Sequence, residues 1–447
     1  MSLILGPSGA RGIVGESFTP DIVNDLVRAF LKTVRITENK TIVIGRDTRN
    51  TSLNFSKIIS SVISLCGFDV IDIGMAPTPC VQFAVEYYKS ASGIVISASH
   101  NPPEWNGLKF IKDDGTFFDE KLIAKLSNYL KNKDTLKWAN NKSRGDFRVD
   151  NTWVDKYISK IKKIVNLKNI KKKRFRVFLD ANGGAGACIG IKLLKELGCD
   201  VSGSGLYMDG EFLHPLEPSA ENLKITSNII RQGEYDVGFA QDTDADRLVL
   251  ISEKGEVPQE DMTLALCVRN VLSKENENRA VVTNLSTSYI VRDEVLKYKG
   301  KIYYSKVGEV FVVSMMKNKR ACIGGEGNGG VIHPAMHYGR DSFISMALIL
   351  ELMAKEDKPL SQIFKSVKKY RTLKKKIKLK EKNQFNRIKK TIKLIPGERL
   401  DTRDGIKIYT SSYWLHIRPS NTEPIIRIIA ESCDEKNLKL LLKRINF

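Results

Sequence analysis

The sequence lacks the patterns that mark secreted, membrane and zinc-binding proteins. Nothing near the N-terminus resembles a signal peptide, because Arg11 and Gly12 come before any apolar stretch of useful length. The longest apolar runs, such as residues 425–430, are far too short to cross a bilayer. The 7 cysteines are an odd number, lie far apart and form no Cys-x-x-Cys pair, which argues against a disulfide framework and a structural zinc site. We therefore expect a cytoplasmic protein with no membrane partner.

Acidic residues are few relative to basic ones. The sequence has 72 Lys and Arg against 51 Asp and Glu, a formal net charge of +21, and such a balance raises the question of nucleic-acid binding. However, the lysines are mostly scattered along polar faces, and there is no RNA-recognition signature and no zinc-finger spacing. We expect a solvated basic surface that favours an anionic substrate, and no nucleic-acid partner.

Strands followed by helices recur along the 447 residues, a length that by itself suggests about three domains. Apolar runs predict strands in two successive cycles, at residues 41–45, 68–73, 93–97, 175–179, near 201 and 236–240. A third cycle is predicted to contain a helix at 261–272, strands at 280–283, 302–304 and 321–324, and a helix at 341–353. The polar segment 131–150 lacks an apolar period and is predicted to be a linker.

The C-terminal part of the sequence differs from these cycles. Its alternating or apolar segments at residues 406–409, 414–418 and 425–430 predict strands, and a helix is predicted after them. Strands in succession followed by one helix are typical of a small α+β domain.

A serine-containing loop follows one of the buried strands. The residues SASHNP at 97–102 come directly after an apolar run, and the proline must end that strand. Open α/β folds bind their ligands at such strand ends, so Ser99 is a candidate nucleophile and His100 a candidate proton carrier or phosphate ligand. Lys109 follows soon after, in NGLK at 106–109. A plain polar turn is the alternative.

Three carboxylates occur on alternate residues in DTDADR, residues 242–247, between two apolar runs. Asp242, Asp244 and Asp246 would repel one another unless a cation neutralises them, and hard oxygen ligands of this kind suit Mg²⁺. One alternative is a solvated acidic turn. Another is a haloacid-dehalogenase-type phosphatase with Asp242 as nucleophile, but that pattern has Thr or Val where this chain has Asp246, and it leaves the serine loop unexplained.

Two further loops carry groups that could bind a phosphorylated sugar. GGEGNGG at residues 324–330 presents Glu326 and Asn328 to sugar hydroxyls, although its glycines could serve a complicated turn alone. RPSNTEP at residues 418–424 precedes a strand that carries Arg427. Its guanidinium groups, hydroxyls and turn amides could form a phosphate-binding cup, with a surface β-turn as the alternative.

Two glycine-rich segments have less specific patterns. The segment 6–12 carries Arg11 among its glycines. The turn DANGGAG at residues 180–186 follows a predicted strand, and it could either cradle a phosphate or allow tight packing.

The order of the motifs is more specific than any one of them. SASHNP with NGLK, DTDADR, GEGNGG and RPSNTEPIIR follow one another across nearly the whole chain. This arrangement resembles the α-D-phosphohexomutase superfamily, which includes phosphoglucomutase, phosphomannomutase and phosphoglucosamine mutase, and the GEGNGG form is similar to the archaeal-type branch. The resemblance implies three related α/β domains and a C-terminal α+β domain around a central cleft, with predicted boundaries at 1–148, 149–251, 252–367 and 368–447.

The resemblance also implies an activity. It is the interconversion of hexose 1-phosphate and hexose 6-phosphate through a phosphoserine enzyme and a hexose 1,6-bisphosphate intermediate, with Mg²⁺ as cofactor. Phosphomannomutase/phosphoglucomutase activity of broad specificity is the expectation, and phosphoglucosamine mutase activity is the alternative.

By the same resemblance, each motif acquires a role. Ser99 would carry the phosphoryl group and share the metal with the three aspartates. The transferring group would be surrounded by Arg11, His100, Lys109 and Arg247. Glu326 and Asn328 would bind the sugar hydroxyls. The non-reacting phosphate would be held by Arg418, Ser420, Asn421, Thr422 and Arg427.

The chain departs from the family pattern at three positions. Pro7 stands where threonine is usual, and Thr243 stands where glycine is common, which changes backbone freedom but removes no ligand. Many relatives carry histidine at the end of the sugar loop, where this chain has Gly330, and its next histidine is His333. The candidates for the proton carrier are then Arg11, His100 and Lys109.

Overall fold

The computed structural model describes residues 3–35, 39–275, 277–378, 385–386, 388, 394–419 and 425–443. Within these residues the chain forms four β-sheets, one after another along the sequence. The first three combine parallel and antiparallel strands, and the fourth is antiparallel. Three α/β units therefore precede a different C-terminal unit, as the sequence predicts. None of the helices in the described part is both long and apolar enough to cross a membrane.

The first unit is built on a seven-stranded sheet of order β1-β2-β6-β5-β3-β4-β7. Its elements are β1 (Ile4–Gly6), β2 (Gly9–Ile13), α1 (Pro20–Thr33), β3 (Thr41–Arg46), α2 (Ser52–Leu65), β4 (Asp69–Met75), α3 (Thr78–Tyr87), β5 (Ser92–Ile96), β6 (Trp105–Lys112), α4 (Glu120–Lys131) and β7 (Phe147–Val149). Helix α1 begins where Thr19 caps the N–H of Ile22 and Pro20 occupies the first turn, the position that tolerates proline.

The second and third units each contain a four-stranded sheet, of order β11-β10-β8-β9 and β13-β12-β14-β15. The second comprises α5 (Trp153–Ile164), α6 (Leu167–Lys173), β8 (Arg176–Asp180), α7 (Ala187–Glu196), β9 (Asp200–Ser204), α8 (Lys224–Gln232), β10 (Val237–Gln241) and β11 (Leu248–Ser252). The third comprises α9 (Asp261–Leu272), β12 (Ala280–Asn284), α10 (Tyr289–Lys297), β13 (Lys301–Ser305), α11 (Glu309–Lys319), β14 (Ile323–Glu326), β15 (Gly330–Ile332), α12 (Ser342–Glu356) and α13 (Leu360–Lys365).

The fourth unit is an antiparallel sheet of order β16-β20-β19-β18-β17 with one helix. It comprises β16 (Arg371–Lys378), β17 (Arg399–Asp401), β18 (Ile406–Tyr409), β19 (Tyr413–Pro419), β20 (Ile425–Ser432) and α14 (Glu435–Lys443). Alternate residues such as Ile417 and Ile428 form a small core with Leu438 and Leu441 of the helix. The side chains between them point to the opposite face of the sheet.

One structural feature recurs in the first three units and positions the predicted motifs. In each, a strand with a parallel neighbour is followed by an antiparallel partner, forming the pairs β5–β6, β10–β11 and β14–β15. The turns of these pairs carry, in order, the serine loop (residues 97–104) and two loops that we name after their predicted ligands, the metal loop (242–247) and the sugar loop (324–330, with the strand ends). Three of the four motifs therefore occupy the same place in three related units.

The largest hydrophobic core joins these units. Every residue of α9 is buried, as is most of α12, and a helix that is buried on all sides needs neighbours on all sides. Helix α12 packs against α9 of its own unit and against α5, α6 and α7 of the second unit. Tyr157 of α5, for example, meets the ring of Phe343 edge-on with centroids 5.9 Å apart. The second and third units therefore share one core.

Most predicted elements are confirmed, with local differences at their ends. The helix predicted at 261–272 is found with those bounds, whereas the strand predicted at 321–324 runs from Ile323 to Glu326. The preceding helix ends with Arg320 in the left-handed conformation, so the residues after it form a turn. The segment predicted as a linker contains β7, whose residues are all exposed and therefore give no apolar pattern.

We expect Leu266→Ala to destabilise the protein by about 3 kcal/mol, because the truncation leaves a cavity at the centre of the shared core. Leu296→Ala, on α10 with Leu296 57% exposed, is the matched control and should change stability by less than about 0.5 kcal/mol. The midpoint of urea unfolding, followed by circular dichroism, measures both. Equal midpoints for the two variants would contradict the central position of α9.

Candidate active site

The serine loop holds Ser99 in an uncommon backbone conformation. Its φ is +52°, in the left-handed region that costs a residue other than glycine about 1–2 kcal/mol. The Ser97 hydroxyl accepts a hydrogen bond from the Ser99 N–H at 2.9 Å, and Oγ of Ser99 lies 3.5 Å from Nδ1 of the His100 ring. Ser99 is buried. Strained residues of this kind cluster at functional sites.

The metal loop brings its carboxylates together. Asp242, Asp244 and Asp246 are fully buried, and one oxygen from each lies within 4.8 Å of the others. Each aspartate also has one buried oxygen (Oδ2 of Asp242, Oδ1 of Asp244 and Oδ1 of Asp246) with no hydrogen-bond partner among the described residues. Buried charged oxygens without partners are costly, and three carboxylates fit the ligand preference of a hard divalent cation. The donor set therefore fits a metal ion.

Cationic side chains surround these carboxylates. Nζ of Lys109, on β6, donates to Oδ2 of Asp244 and lies 3.7 Å from Oδ2 of Asp246. Nε of Arg247 lies 3.8 Å from Oδ2 of Asp242 and 3.7 Å from Oδ1 of Asp246. The first and second units therefore contribute opposite charges to one cluster.

Arg11 reaches this cluster from β2. Its Nη1 donates to Oδ1 of Asn101 in the serine loop at 2.8 Å. Burial lowers the pKa of Arg11 to about 10, with Asp244 and Asp246 opposing the shift, so it stays protonated at neutral pH. A cation from the N-terminal segment thus lies beside the serine loop.

The third unit supplies a cation that sequence reasoning missed. Arg340 donates from Nη2 to Oδ2 of Asp246 at 2.6 Å and from Nε to Oε2 of Glu309 at 2.8 Å. Its Nη1 lies 3.2 Å from Oε2 of Glu326, so one guanidinium links the metal loop to the sugar loop. In the sequence it is a single arginine in the polar turn before α12, and no pattern distinguishes it.

The buried charges shift the pKa values of the aspartates in opposite directions. Burial, followed by repulsion from Asp246 and Asp244, raises the pKa of Asp242 well above its ordinary value. Burial has the same effect on Asp244, but the charge and hydrogen bond of Lys109 outweigh it and lower the pKa of Asp244. The aspartate paired with lysine is therefore the more strongly ionised of the two.

His100 lies between these cations. The charge of Arg247, followed by burial, lowers the pKa of His100 to about 2. Nη2 of Arg247 lies 3.3 Å from Nδ1 of the ring. The imidazole is therefore neutral at physiological pH.

Hydrogen bonds fix the sugar loop. Oε1 of Glu326 accepts from Nδ2 of Asn284 at 2.8 Å and from the N–H of Gly308 at 2.9 Å, and Oδ1 of Asn328 accepts from the N–H of Gly330 at 3.2 Å. Glu326 is thus held in one orientation before any ligand binds.

The phosphate-binding cup predicted from residues 418–424 and Arg427 contains two arginines, which lie side by side in the fourth unit. Arg418 and Arg427 are directly opposite on β19 and β20, an arrangement of like charges that is unfavourable without a counter-ion. Nε of Arg418 donates to Oδ1 of Asp404 at 3.2 Å. Ser420, Asn421 and Thr422 lie outside the described residues.

Comparison with family models identifies all four units. Phosphoglucomutase/phosphomannomutase alpha/beta/alpha domains I, II and III match residues 2–137, 155–255 and 259–370, and the C-terminal domain of the same family matches 374–446. A phosphoglucomutase/phosphomannomutase of Thermococcus kodakarensis is 36% identical over 450 residues, which cover 99% of this chain and 97% of the relative. The chain belongs to the phosphoglucomutase/phosphomannomutase family.

Other relatives agree with this assignment. A phosphoglucosamine/phosphogalactosamine mutase of Sulfurisphaera tokodaii is 32% identical over 462 residues, covering 100% of this chain and 99% of the relative. A family protein of Burkholderia thailandensis superposes with a TM-score of 0.85 at 23% identity, covering 99% and 96% of the two chains. The N-acetylphosphoglucosamine mutase of Aspergillus fumigatus, solved with GlcNAc-6P and magnesium, has a TM-score of 0.61 at 14% identity and covers 100% and 95%. The structures support the fold, and the sequence relatives make the chain a phosphosugar mutase, an isomerase-class phosphotransferase.

In this family member the contacts connect predicted residues of all four units. The residues around the serine and metal loops form one network, consisting of Arg11, Ser99, His100, Lys109, Asp242, Asp244, Asp246 and Arg247. Glu326 joins it through Arg340. Arg418 connects instead through Asp404, whose Oδ2 accepts from the N–H of Val307 at 2.8 Å, next to the Gly308 that holds Glu326.

The departure at Gly330 has a steric explanation. A Cβ at this position would lie 2.3 Å from Cδ of Arg340. The space that a longer side chain would need is thus filled by the arginine that bridges the metal and sugar loops. Burial, followed by the charge of Lys274, lowers the pKa of His333, the next histidine, to about 4. A family histidine at 330 is therefore incompatible with this position of Arg340.

The glycine turn at 180–186 supports the metal loop by packing. A Cβ at Gly184 would lie 2.8 Å from Cα of Thr243, and the N–H of Ala185 donates to the Thr243 carbonyl at 2.9 Å. Of the two interpretations of this turn, tight packing is the one with contacts in the structure.

We expect Lys109→Met to lower stability by about 3 kcal/mol, because it leaves the buried Asp244 carboxylate without its cation. Lys112→Met, three residues further along β6 and with Nζ 3.8 Å from Oδ2 of the partly exposed Asp114, is the control and should have little effect. The double variant Lys109→Met/Asp244→Asn should recover part of the loss in urea unfolding. Additive effects of the two substitutions would contradict a direct pair.

Proposed function

We propose that Ser99 is the phosphate carrier of a mutase that interconverts hexose 1-phosphate and hexose 6-phosphate. The observation that carries this assignment is a buried serine beside three clustered aspartates and four cations, held in a left-handed conformation. A phosphoserine that meets a sugar phosphate brings two dianions together, and such an encounter requires this concentration of positive charge.

The reaction consists of two phosphoryl transfers in opposite directions. In the first, the P–O bond to Oγ of phosphorylated Ser99 breaks as a bond forms to the free hydroxyl of the sugar phosphate, whose proton is released. The bisphosphorylated sugar then turns around. In the second transfer its other phosphoryl group returns to Oγ of Ser99 and the sugar oxygen regains a proton. No phosphate is gained or lost over the cycle.

Asp242, Asp244 and Asp246 would hold a Mg²⁺ ion together with the phosphate on Ser99. When bound, the ion supplies positive charge that neutralises the transferring group. Arg11, His100, Lys109 and Arg247 border the same space and would contact the phosphoryl oxygens. A neutral His100 is suited to donate a single N–H to a phosphoryl oxygen, whereas its lowered pKa makes it a weak proton acceptor.

The third and fourth units would hold the rest of the substrate. Glu326 and Asn328 offer acceptor and donor groups to the sugar hydroxyls, and equivalent sugar hydroxyls can be held in either orientation of the substrate. Arg418 and Arg427, with residues 420–422, would hold the non-reacting phosphate.

The substrate that we propose is a glucose or mannose phosphate, with broad specificity. Support comes from the Thermococcus kodakarensis relative, which is described as a phosphoglucomutase/phosphomannomutase. Phosphoglucosamine mutase activity is the alternative, since other relatives carry that name. A coupled assay with the 1-phosphates of glucose, mannose, glucosamine and N-acetylglucosamine, with and without hexose 1,6-bisphosphate, ranks them directly.

We expect Ser99→Ala to lower turnover by at least about a thousandfold while the protein stays folded, because the phosphate carrier is lost. Ser92→Ala, a buried serine of β5 outside the loop, is the control and should retain turnover. Incubating the wild-type protein with radiolabelled glucose 1,6-bisphosphate should place acid-stable label on Ser99. Label recovered as acid-labile acyl phosphate on Asp242 would instead favour a phosphatase.

We expect Mg²⁺ to raise the melting temperature of the wild-type protein, because an ion that binds only the folded state stabilises it by about 2.7 kcal/mol at one hundred times its Kd. Asp242→Asn should reduce this shift strongly, whereas Asp113→Asn, at an exposed carboxylate, should leave it unchanged. Differential scanning calorimetry with and without chelator measures the shift. An equal response in all three proteins would place the ion elsewhere.

A further inference from the structure

Arg49 lies beneath the serine loop and has no role in the assignments above. It follows β3 in the polar turn before α2, and only 2% of it is exposed. Its guanidinium makes a dense set of contacts with the backbone of the serine loop. Nη2 donates to the carbonyls of Ser99 and Asn101 at 2.5 and 2.6 Å, and Nη1 donates to those of Pro102 and Trp105 at 2.7 and 3.0 Å.

A carboxylate anchors the guanidinium. Nε of Arg49 donates to Oδ2 of Asp47 at 3.1 Å, and Asp47 is fully buried. The other oxygen of Asp47 accepts from Oγ of Ser52 at 2.7 Å and from the N–H of Arg49 at 3.1 Å. The five N–H donors of the guanidinium are therefore matched by five acceptors, and none is left for a substrate phosphate.

The contacts act on the backbone of Ser99 itself. The peptide group before its Cα is held through the N–H, which donates to Oγ of Ser97. The peptide group after its Cα is held through the carbonyl, which accepts from Arg49 and, at 2.9 Å, from Oγ1 of Thr243. Fixing both flanking peptide groups sets φ and ψ, and these set the direction in which the Ser99 side chain leaves the backbone.

We propose that Arg49, anchored by Asp47, is a positioning residue for phosphoryl transfer. It holds Ser99 in its left-handed conformation so that Oγ faces the metal loop, and it touches neither the phosphoryl group nor the sugar. This inference rests on the proposed role of Ser99. Lysine cannot replace arginine here, because one ammonium group cannot reach four carbonyls and a carboxylate in the plane that the guanidinium fork spans.

The test compares wild-type protein, Arg49→Lys and Arg28→Lys. Arg28 also donates to a backbone carbonyl of the first unit, that of Leu136 at 2.8 Å, but far from the serine loop in sequence and contacts. Each protein is phosphorylated with glucose 1,6-bisphosphate, the phosphate on Ser99 is quantified by intact mass, and transfer to glucose 1-phosphate is followed by rapid quench. Steady-state kcat and KM are measured in parallel.

We expect Arg49→Lys to slow single-turnover transfer about 30- to 100-fold, since a displacement near 1 Å costs about two orders of magnitude in rate. KM should stay within threefold, because the groups proposed to bind the sugar and its other phosphate lie in other units. In Arg49→Lys, the backbone amides of residues 98–105 should exchange with deuterium faster than in the wild-type protein, whereas those of residues 326–332 should not. Arg28→Lys should match the wild-type protein in all of these measurements. Transfer within threefold of wild type, or a rise in KM that accounts for the whole loss, overturns the proposal.

Two further outcomes keep the roles distinguishable. If Arg49→Lys shows no cooperative unfolding, the isosteric variant Asp47→Asn tests the positioning role instead. We expect this variant to fold and to slow phosphoryl transfer at least fivefold. An unchanged transfer rate would contradict the proposal. If the wild-type protein takes no phosphate on Ser99 from the bisphosphate, the proposed function itself fails, and the positioning role fails with it. Wild-type phosphorylation together with an unimpaired Arg49→Lys variant removes only the positioning role.

Discussion

The burial of three aspartate carboxylates in one short loop is the constraint on which the rest of the structure depends. Each carboxylate would be prohibitively costly to bury without opposite charge nearby. That charge comes from all three α/β units: Lys109 from the first, Arg247 from the second and Arg340 from the third. The metal loop is therefore buried where the three units meet, and the site depends on how these units pack together.

The same constraint explains the glycines around the metal and sugar loops. Charged groups can meet at hydrogen-bond distance only where the intervening backbone comes close, and a Cβ at Gly330 or Gly184 would occupy that space. At Gly327, a Cβ would lie 2.2 Å from Oδ1 of Asp261, which also accepts from the N–H of Ser288. The chain departs from the family pattern at two such positions, with glycine for histidine at 330 and threonine for glycine at 243. These departures alter which side chains can reach the aspartates of the metal loop, but they do not change the aspartates themselves.

The sequence predicts the loops well because their signals are local. The aspartates of the metal loop alternate between two apolar runs, and Ser99 follows a strand that a proline must end, so short stretches are sufficient to place both. The signal for the helix at 261–272 is equally local, since its apolar residues lie within one short continuous stretch of sequence. The order of the motifs then predicts the fold.

Arg340 and Arg49 could not be predicted in this way, since their roles depend on contacts across the fold. Arg340 meets Asp246 94 positions away, and Arg49 meets the serine loop about fifty positions later. Each is a single arginine in a polar turn, a pattern that usually marks a solvated surface. The strand β7 could not be predicted for a related reason. It is defined by its backbone pairing with β4, and because all of its residues are exposed it shows no apolar period in the sequence.

The contacts of the sugar loop bear on how a bisphosphorylated sugar could turn around. Arg418 is tied to Asp404, Asp404 to the N–H of Val307, and the neighbouring Gly308 to Glu326, so the cup and the sugar loop form one hydrogen-bonded series. The serine loop is tied to Asp47 through Arg49, and to the metal loop through Thr243. Arg340 links the two sets, because it donates to Asp246 of the metal loop and lies 3.2 Å from Oε2 of Glu326. A sugar that turned around between Ser99 and the cup would have to leave Glu326 and the cup together, and Arg340 is the contact through which that release would reach the metal loop. The backbone of Ser99 is held by Arg49 and Thr243 rather than by Arg340, so a shift of Arg340 with the sugar loop would not by itself remove the contacts that hold that backbone.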